Sequence, residues 1–138
     1  MYISNRYIFV YGTLLLSDNI YSAYLKDHCK YIDKGKLKGS VYDAGAYPGA
    51  IADNKARGYV HGSVYLMDDA HMVLKFLDEY EGIGTEKQAA DEYRRITCEI
   101  VSDSRTTLCW VYLYNQSVAG FVRVTDGDYV AYIKNKML

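Results

Sequence analysis

The chain has 138 residues, of which 50% are hydrophobic and 24% charged, with 11 Gly and one Pro. This length and composition predict one folded globular domain over residues 1–138 and exclude a two-domain or disordered chain. The 16 basic and 17 acidic side chains leave a formal net charge of −1, which argues against nucleic-acid and membrane partners.

The tyrosine and cysteine content further narrows the class of protein to which the chain can belong. The chain has 16 Tyr against 3 Phe and 1 Trp, so most of its aromatic side chains can bond polar partners and line a polar pocket. The sequence predicts neither a disulfide framework nor a thiolate metal site, because its three cysteines include no C-x-x-C pair. A reducing, cytoplasmic location fits this usage best. These cysteines are Cys29, Cys98 and Cys109.

The N-terminal part predicts a strand and a short helix. The run over residues 6–11 is rich in aromatic and β-branched side chains and ends before Gly12. This pattern is typical of a buried strand that leads into a tight turn. The apolar run here is too short for a membrane span, and no small-residue cleavage site follows it, so a targeting segment is not expected. Ser17 and Asp18 are the expected caps of a helix that continues to about Leu25.

The middle of the chain predicts strands of a curling sheet. Residues 30–42 alternate raggedly, with Gly35 and Gly39 as expected bulges or bends. Residues 46–49, Ala-Tyr-Pro-Gly, predict a turn. Residues 58–67 partly alternate between polar and apolar side chains, which predicts a half-buried strand.

The clearest helix is predicted over residues 70–80. Asp68 and Asp69 offer an N-cap, and Gly82 and Gly84 are typical of a helix C-terminus. Apolar residues recur at helical spacing and form one face: Val73, Phe76, Leu77 and Tyr80.

The C-terminal part predicts two more strands. A polar loop over residues 85–92 precedes an alternating strand over 96–100, and residues 108–114 are apolar on both faces, as in a strand covered on both sides. Residues 127–132 predict a final helical turn. Because strands and helices do not alternate regularly, the expected fold is a single α+β domain with a curled, barrel-like mixed sheet and two or three flanking helices.

One candidate site is the turn after the first strand. Successive backbone N–H groups of Tyr11, Gly12, Thr13 and Leu14 can converge on an anion such as a carboxylate. An ordinary strand end at a glycine has the same pattern, so both interpretations stay open.

A second candidate is the acidic end of the clearest helix. Asp78, Glu79 and Glu81 lie close together at a helix C-terminus, and both neighbouring carboxylates and the helix dipole raise the pKa of such a group. If Glu81 faces a pocket, it is suited to general acid–base catalysis; if it faces water, the cluster is a solvated helix end. Periodicity does not choose between the two.

A third group consists of polar and aromatic residues on the last two strands. Tyr93 and Arg95 are followed by Tyr112 and Tyr114, which alternate to the same face as Trp110. Their hydroxyls can line a cleft, although a surface or interface role explains the pattern equally well.

Several familiar catalytic motifs are missing. The three histidines form no H-E-x-x-H motif, and the chain has no P-loop, no dinucleotide-binding glycine motif and no G-x-S-x-G. We therefore expect no metal and no cofactor. Proton chemistry at side chains is what remains.

Six short motifs, in this order, resemble the γ-glutamylcyclotransferase-like family and in particular its γ-glutamylamine cyclotransferase branch. The resemblance spans nearly the whole chain. The motifs are Tyr11-Gly-Thr-Leu14, Gly39-Ser-Val-Tyr-Asp43 with Tyr47-Pro-Gly49, Val60-His-Gly-Ser-Val-Tyr65, Leu77-Asp-Glu-Tyr-Glu-Gly82, Tyr93-Arg-Arg95 and Val111-Tyr-Leu-Tyr-Asn115.

The resemblance implies a small mixed barrel that releases 5-oxoproline from γ-glutamyl amines or γ-glutamyl amino acids without a cofactor. It implies that Glu81 is the general acid and base, that residues 11–14 hold the substrate, and that Tyr112 orients Glu81. Tyr93, Arg95 and Tyr112 complete the expected substrate-binding set, in a monomer or weak homodimer. The stretch 82–92 is either a lid or a surface loop. The alternative is a non-catalytic module on this fold that binds a small carboxylate or a protein.

Overall fold

The computed structural model describes residues 4–12, 19–45, 47–83, 91–103 and 105–136. Within these ranges, no helix combines the length and apolar character needed to cross a membrane. The elements in chain order are β1 (Tyr7–Val10), α1 (Ile20–His28), β2 (Cys29–Asp43), β3 (Pro48–Ala52), β4 (Tyr59–Met67), α2 (Ala70–Glu81), β5 (Tyr93–Val101), β6 (Thr106–Tyr114), β7 (Val122–Arg123) and α3 (Tyr129–Lys136).

Five strands close into a barrel in the order β2-β4-β1-β6-β5. The barrel closes where Val101 of β5 pairs with Lys36 of β2. All neighbours in it are antiparallel except β1 and β6, which run parallel and share the pair Ile8–Trp110. The last third of β2, residues 39–43, leaves the barrel and pairs with β3 and β7. The expected α+β fold with a curled mixed sheet is therefore confirmed.

Side chains from the two faces of the barrel wall enter two separate cores. On β1, Phe9 belongs to the barrel interior, where it joins a cluster that includes Val111 of β6. Ile8 lies on the outer face, with Leu74 and Leu77 of α2. β1 and β6 are thus covered on both sides, as the unbroken apolar pattern of residues 108–114 predicts.

Helix α2 forms where the sequence predicts it. The Asp69 side chain caps its start by accepting the Met72 N–H at 3.1 Å, and Gly82 follows its last residue in the left-handed conformation (φ 72°). Val73 and Leu77 on its inner face are fully buried, which anchors the helix against the barrel.

Helix α1 begins one residue later than expected and is longer. Ser17 and Asp18 lie outside the described residues, and Asn19 is the cap. Its side-chain oxygen accepts the Ser22 N–H at 3.0 Å, while its own N–H donates to the Ser22 hydroxyl at 3.1 Å. Among three consecutive residues that can all cap a helix, this reciprocal pair selects Asn19. The helix ends at His28.

β2 has no bulge at Gly35 or Gly39, where the sequence predicts bulges or bends. Both lie within one strand of 15 residues, β2, and the register shift falls between Tyr31 and Asp33. A glycine is needed at position 39 because the backbones of β2 and β3 lie very close together there. A Cβ at this position would lie 2.1 Å from the carbonyl oxygen of Ile51 on β3.

Two predicted boundaries also move. Pro48 and Gly49 begin β3 instead of ending a turn. The connection before them is closed by the Ala44 N–H, which donates to the Tyr47 oxygen at 3.0 Å; Ala46 lies outside the described residues. The final helical turn expected over residues 127–132 is a helix of 8 residues, α3.

Candidate active site

A cavity of about 390 Å³ opens at the carboxyl ends of the parallel strands β1 and β6. It lies next to the C-terminus of α2, and its size is typical of a site for a small molecule. The cavity brings together five of the residues singled out in the sequence: Tyr11, Gly12, Glu81, Tyr93 and Tyr112. Further lining residues are Tyr47, Pro48, Tyr80, Gly82, Glu92 and, from β1, Ile8, Phe9 and Val10.

Glu81 is the last residue of α2, and its side chain is partly buried in the cavity wall. Burial raises the pKa of its carboxyl group to about 7, with smaller contributions in the same direction from the negative charges of Glu92 and Asp78. The upward direction matches the expectation from the sequence, but the main cause is desolvation and not the neighbouring helix residues. A group with this pKa can accept and return a proton near neutral pH.

Tyr11 and Gly12 form the corner at the end of β1. The Tyr11 hydroxyl donates to the backbone oxygen of Tyr112, which ties this corner to β6. Burial, with the charge of Glu81, raises the pKa of Tyr11 above its ordinary value, so its hydroxyl stays protonated. Only glycine fits at position 12, because a Cβ there would lie 2.5 Å from Cγ of Pro48. Thr13 and Leu14 lie outside the described residues.

Tyr93 is a further residue of the cavity wall. Its hydroxyl donates to the backbone oxygen of Pro48, and its ring packs edge-on against Tyr47 and Tyr114, with centroids 5.9 and 5.5 Å apart. Burial raises the pKa of this hydroxyl as well. Tyr93 therefore joins β3 to β5 and gives the cavity a neutral, aromatic side.

The Tyr112 hydroxyl and Arg95 meet at Asp78 instead of reaching Glu81 or the cavity. The Tyr112 hydroxyl donates to Asp78 Oδ1 at 2.7 Å. The Arg95 guanidinium donates hydrogen bonds to both carboxylate oxygens of Asp78, at 2.8 and 3.0 Å. It lies 4.7 Å from the centre of the Trp110 ring. Arg95 is not among the described residues that line the cavity. The Tyr112 hydroxyl is thus bonded to Asp78, while its side chain lines the cavity with Glu81.

Glu92 is a cavity residue that the sequence analysis missed. The Tyr47 hydroxyl donates to both of its carboxylate oxygens, at 2.9 and 3.0 Å, and the Asn115 N–H donates to its backbone oxygen at 2.7 Å. In the sequence, Glu92 is one acidic residue at the end of a polar stretch. No local pattern marks it, since its role depends on contacts with residues 45 and 23 positions away.

The described residues include no group of three or more His, Cys, Asp or Glu side chains that could hold a metal ion. What the described cavity offers is a partly buried carboxyl group with a near-neutral pKa, a glycine corner in the same lining and several tyrosine side chains that stay protonated. This arrangement can bind a small polar molecule and move a proton at it.

Comparison with known proteins supports a relationship along most of the chain. A Vibrio cholerae protein that is named provisionally as a gamma-glutamylcyclotransferase is 32% identical over 124 residues, which cover 88% of this chain and 93% of that protein. The solution structure of Escherichia coli ytfP superimposes with a TM-score of 0.64 at 26% identity, over 92% of this chain and 98% of that one.

The crystal structure of Bacillus subtilis YkqA shares the fold with a TM-score of 0.70 at 24% identity, over 97% of this chain and 43% of that one. A sequence profile described as "Gamma-glutamyl cyclotransferase, AIG2-like" matches residues 8–131. With the barrel, the cavity and the six ordered motifs in agreement, the chain belongs to the gamma-glutamyl cyclotransferase, AIG2-like family.

Proposed function

We propose that this protein is a cofactor-independent γ-glutamyl cyclotransferase that releases 5-oxoproline and a free amine from a γ-glutamyl amine or γ-glutamyl amino acid. The observation that carries the proposal is Glu81, a carboxyl group partly buried in a cavity with its pKa raised to about 7. Membership of the family supports the reaction class.

In the proposed reaction, the α-amine of the substrate attacks the carbon of its own γ-carbonyl group. The Glu81 carboxylate accepts a proton from the attacking nitrogen as the new C–N bond forms. It then returns the proton to the leaving nitrogen as the original amide C–N bond breaks, so the ring product and the amine leave and Glu81 is ionised again. Glu81 therefore both accepts the proton and returns it.

The remaining task of the protein is to position the substrate. Closure of a five-membered ring within one molecule has a high effective molarity once the chain is folded back. The backbone at Tyr11 and Gly12 lies in the wall with Glu81 and is the proposed place for the substrate's carboxylate or for the developing oxyanion. Tyr93 and Tyr112 limit the shape of the cavity, and Thr13 and Leu14 remain in the proposed binding loop.

The first test is a direct assay. Purified protein is incubated with γ-glutamyl amino acids and γ-glutamyl-ε-lysine, and 5-oxoproline is measured. We expect Glu81→Gln to lower kcat by at least about 100-fold. The amide keeps the size of the side chain but cannot accept a proton from the attacking amine and return it. Since the carboxylate is the acceptor, kcat/KM should rise with pH through about 7.

Glu79→Gln, an exposed carboxylate two residues earlier on the same helix, is the matched control and should retain activity. Full activity of Glu81→Gln would contradict the mechanism. Calorimetry on the same compounds separates an enzyme from a binding module on this fold, because tight binding without 5-oxoproline would favour the module.

A further inference from the structure

The cavity has a deep end and a mouth. Tyr11 and Tyr112, near Glu81, are each 6% exposed, whereas Tyr47 is 36% exposed. Glu92 lies beside Tyr47 and bonds its hydroxyl. A substrate with its γ-carbonyl at Glu81 and its amine substituent towards the exposed side of the cavity would reach Tyr47 and Glu92.

The Glu92 carboxylate is hydrogen-bonded at this mouth. Tyr47 donates to both of its oxygens, and Asn115 fixes its backbone. A carboxylate has about four lone-pair positions, so the bond with one hydroxyl leaves room for a donor from a ligand. Glu92 is thus a preformed acceptor on the path of the leaving group.

The charges of the described cavity are all of one sign. Its described lining contains Glu81 and Glu92 and no Lys, Arg or His. Arg95, on the neighbouring strand, is already paired with Asp78. A positively charged group at the mouth would offset the repulsion between the two carboxylates, whereas a negatively charged group there would add to it.

Given the proposed function, on which this inference rests, we propose that Glu92 determines substrate specificity by selecting γ-glutamyl compounds whose leaving amine carries a second, positively charged group, as a diamine or polyamine does. The ammonium donates a charge-assisted hydrogen bond to the Glu92 carboxylate at the mouth while the γ-carbonyl lies at Glu81. Glu92 takes no part in the proton transfer.

Three synthetic substrates of matched length test the inference. They are the γ-glutamyl amides of 1,4-diaminobutane, pentylamine and 4-aminobutyrate, which end in an ammonium, a methyl and a carboxylate group. We expect kcat/KM for the ammonium compound to exceed that for the methyl compound by about 10- to 50-fold. The carboxylate compound should be the poorest of the three.

Variants identify the residue responsible. Glu92→Gln keeps the length of the side chain and a hydrogen bond to Tyr47, and should bring the ammonium-to-methyl ratio close to one. Glu92→Asp keeps the charge and should retain most of the preference. Glu99→Gln, an exposed carboxylate on β5, should leave the ratio unchanged while making the same change in net charge. The ratio is used because any effect of Glu92 on Glu81 acts on both substrates and cancels.

A ratio near one in the unmodified protein, or a ratio that survives Glu92→Gln, would overturn the inference while 5-oxoproline release still supported the cyclotransferase. If none of the three is converted, calorimetry on Glu81→Gln with and without Glu92→Gln decides. An ammonium preference in Kd that disappears with Glu92→Gln would uphold the selectivity and reject the enzyme. Equal binding, or no binding, would reject the selectivity as well.

Discussion

Glu81 lowers the stability of the folded protein at the pH where we propose that it works. Burial raises the pKa of its carboxyl group from 4.5 to about 7. The native state therefore binds more protons than the unfolded state between these two values. The stability contributed by the protonated group is fully present below pH 4.5 and is lost as pH rises through about 7.

The residue-scale prediction is that Glu81→Gln stabilises the protein at high pH. The gain in unfolding free energy should grow from near zero at pH 4 to at most about 3.5 kcal/mol at pH 9, at about 1.4 kcal/mol per pKa unit. Urea unfolding over this pH range measures it, with Glu79→Gln as the control for loss of one charge. A gain that is the same at every pH would show that the Glu81 carboxylate is as well solvated in the folded protein as in the unfolded chain.

Arg95 shows why the type of a residue does not by itself reveal what that residue binds. From the sequence, it belongs with Tyr93 to the expected substrate-binding set. In the fold, its planar guanidinium matches the two oxygens of Asp78 and stacks over Trp110, which leaves it outside the described lining of the cavity. The pairing joins a residue of α2 to one of β5, 17 positions apart, which no local pattern encodes.

At the scale of the element, the C-terminus of α2 positions the proposed catalytic group. Gly82 follows Glu81 with φ 72°, and its N–H donates to the Glu79 oxygen at 3.2 Å. The next residue, Ile83, donates to the Asp78 oxygen at 2.9 Å. These bonds end the helix at Glu81, whose side chain lines the cavity.

We expect Gly82→Ala to destabilise the protein by about 1 kcal/mol, because an L-residue is strained in the left-handed conformation. It should also lower kcat at least about tenfold by shifting Glu81. Gly120→Ala is the control, since Gly120 has φ 85° and open space around its Cβ position. Thermal unfolding and the 5-oxoproline assay should show a similar stability loss in both variants and an activity loss only in Gly82→Ala. Equal activity of the two would mean that this helix end does not position Glu81.

At the scale of the whole molecule, β2 shapes the fold because it contributes to two sheets. Its first part pairs with β4 and closes the barrel with β5, and its second part pairs with β3 and β7. Gly39 lies where the partner changes, opposite Ala52. β3 in turn carries Pro48 to the cavity wall.

Gly39→Ala should therefore destabilise the protein by about 3 kcal/mol, because its new methyl group would collide with the Ile51 carbonyl oxygen. Gly45→Ala, at a position with φ 106° and open space around it, should lose only the backbone cost of about 1–2 kcal/mol. Urea midpoints at an unchanged m-value measure both. Equal losses would show that β3 moves away freely and that its position is not fixed by Gly39.

The sequence alone determined the features that arise from short-range periodicity and local chemistry. The helix α2 with its cap and terminal glycine, the strands β1, β4 and β6, and the α+β class all follow from side-chain spacing, which depends on neighbours within about one or two turns. The ordered motifs added the family and pointed to Glu81. The unbroken apolar pattern of residues 108–114 also indicated a strand covered on both sides.

Only the tertiary structure decided which polar groups meet, because those contacts join residues far apart in the chain. It paired Arg95 with Asp78, gave the Tyr112 hydroxyl to the same carboxylate, and placed Glu92 at the mouth through Tyr47. It also resolved the ambiguity over Glu81. An acidic helix end looks the same in sequence whether it faces water or a cavity, and the pKa of a carboxyl group is set mainly by the water that the fold removes from it.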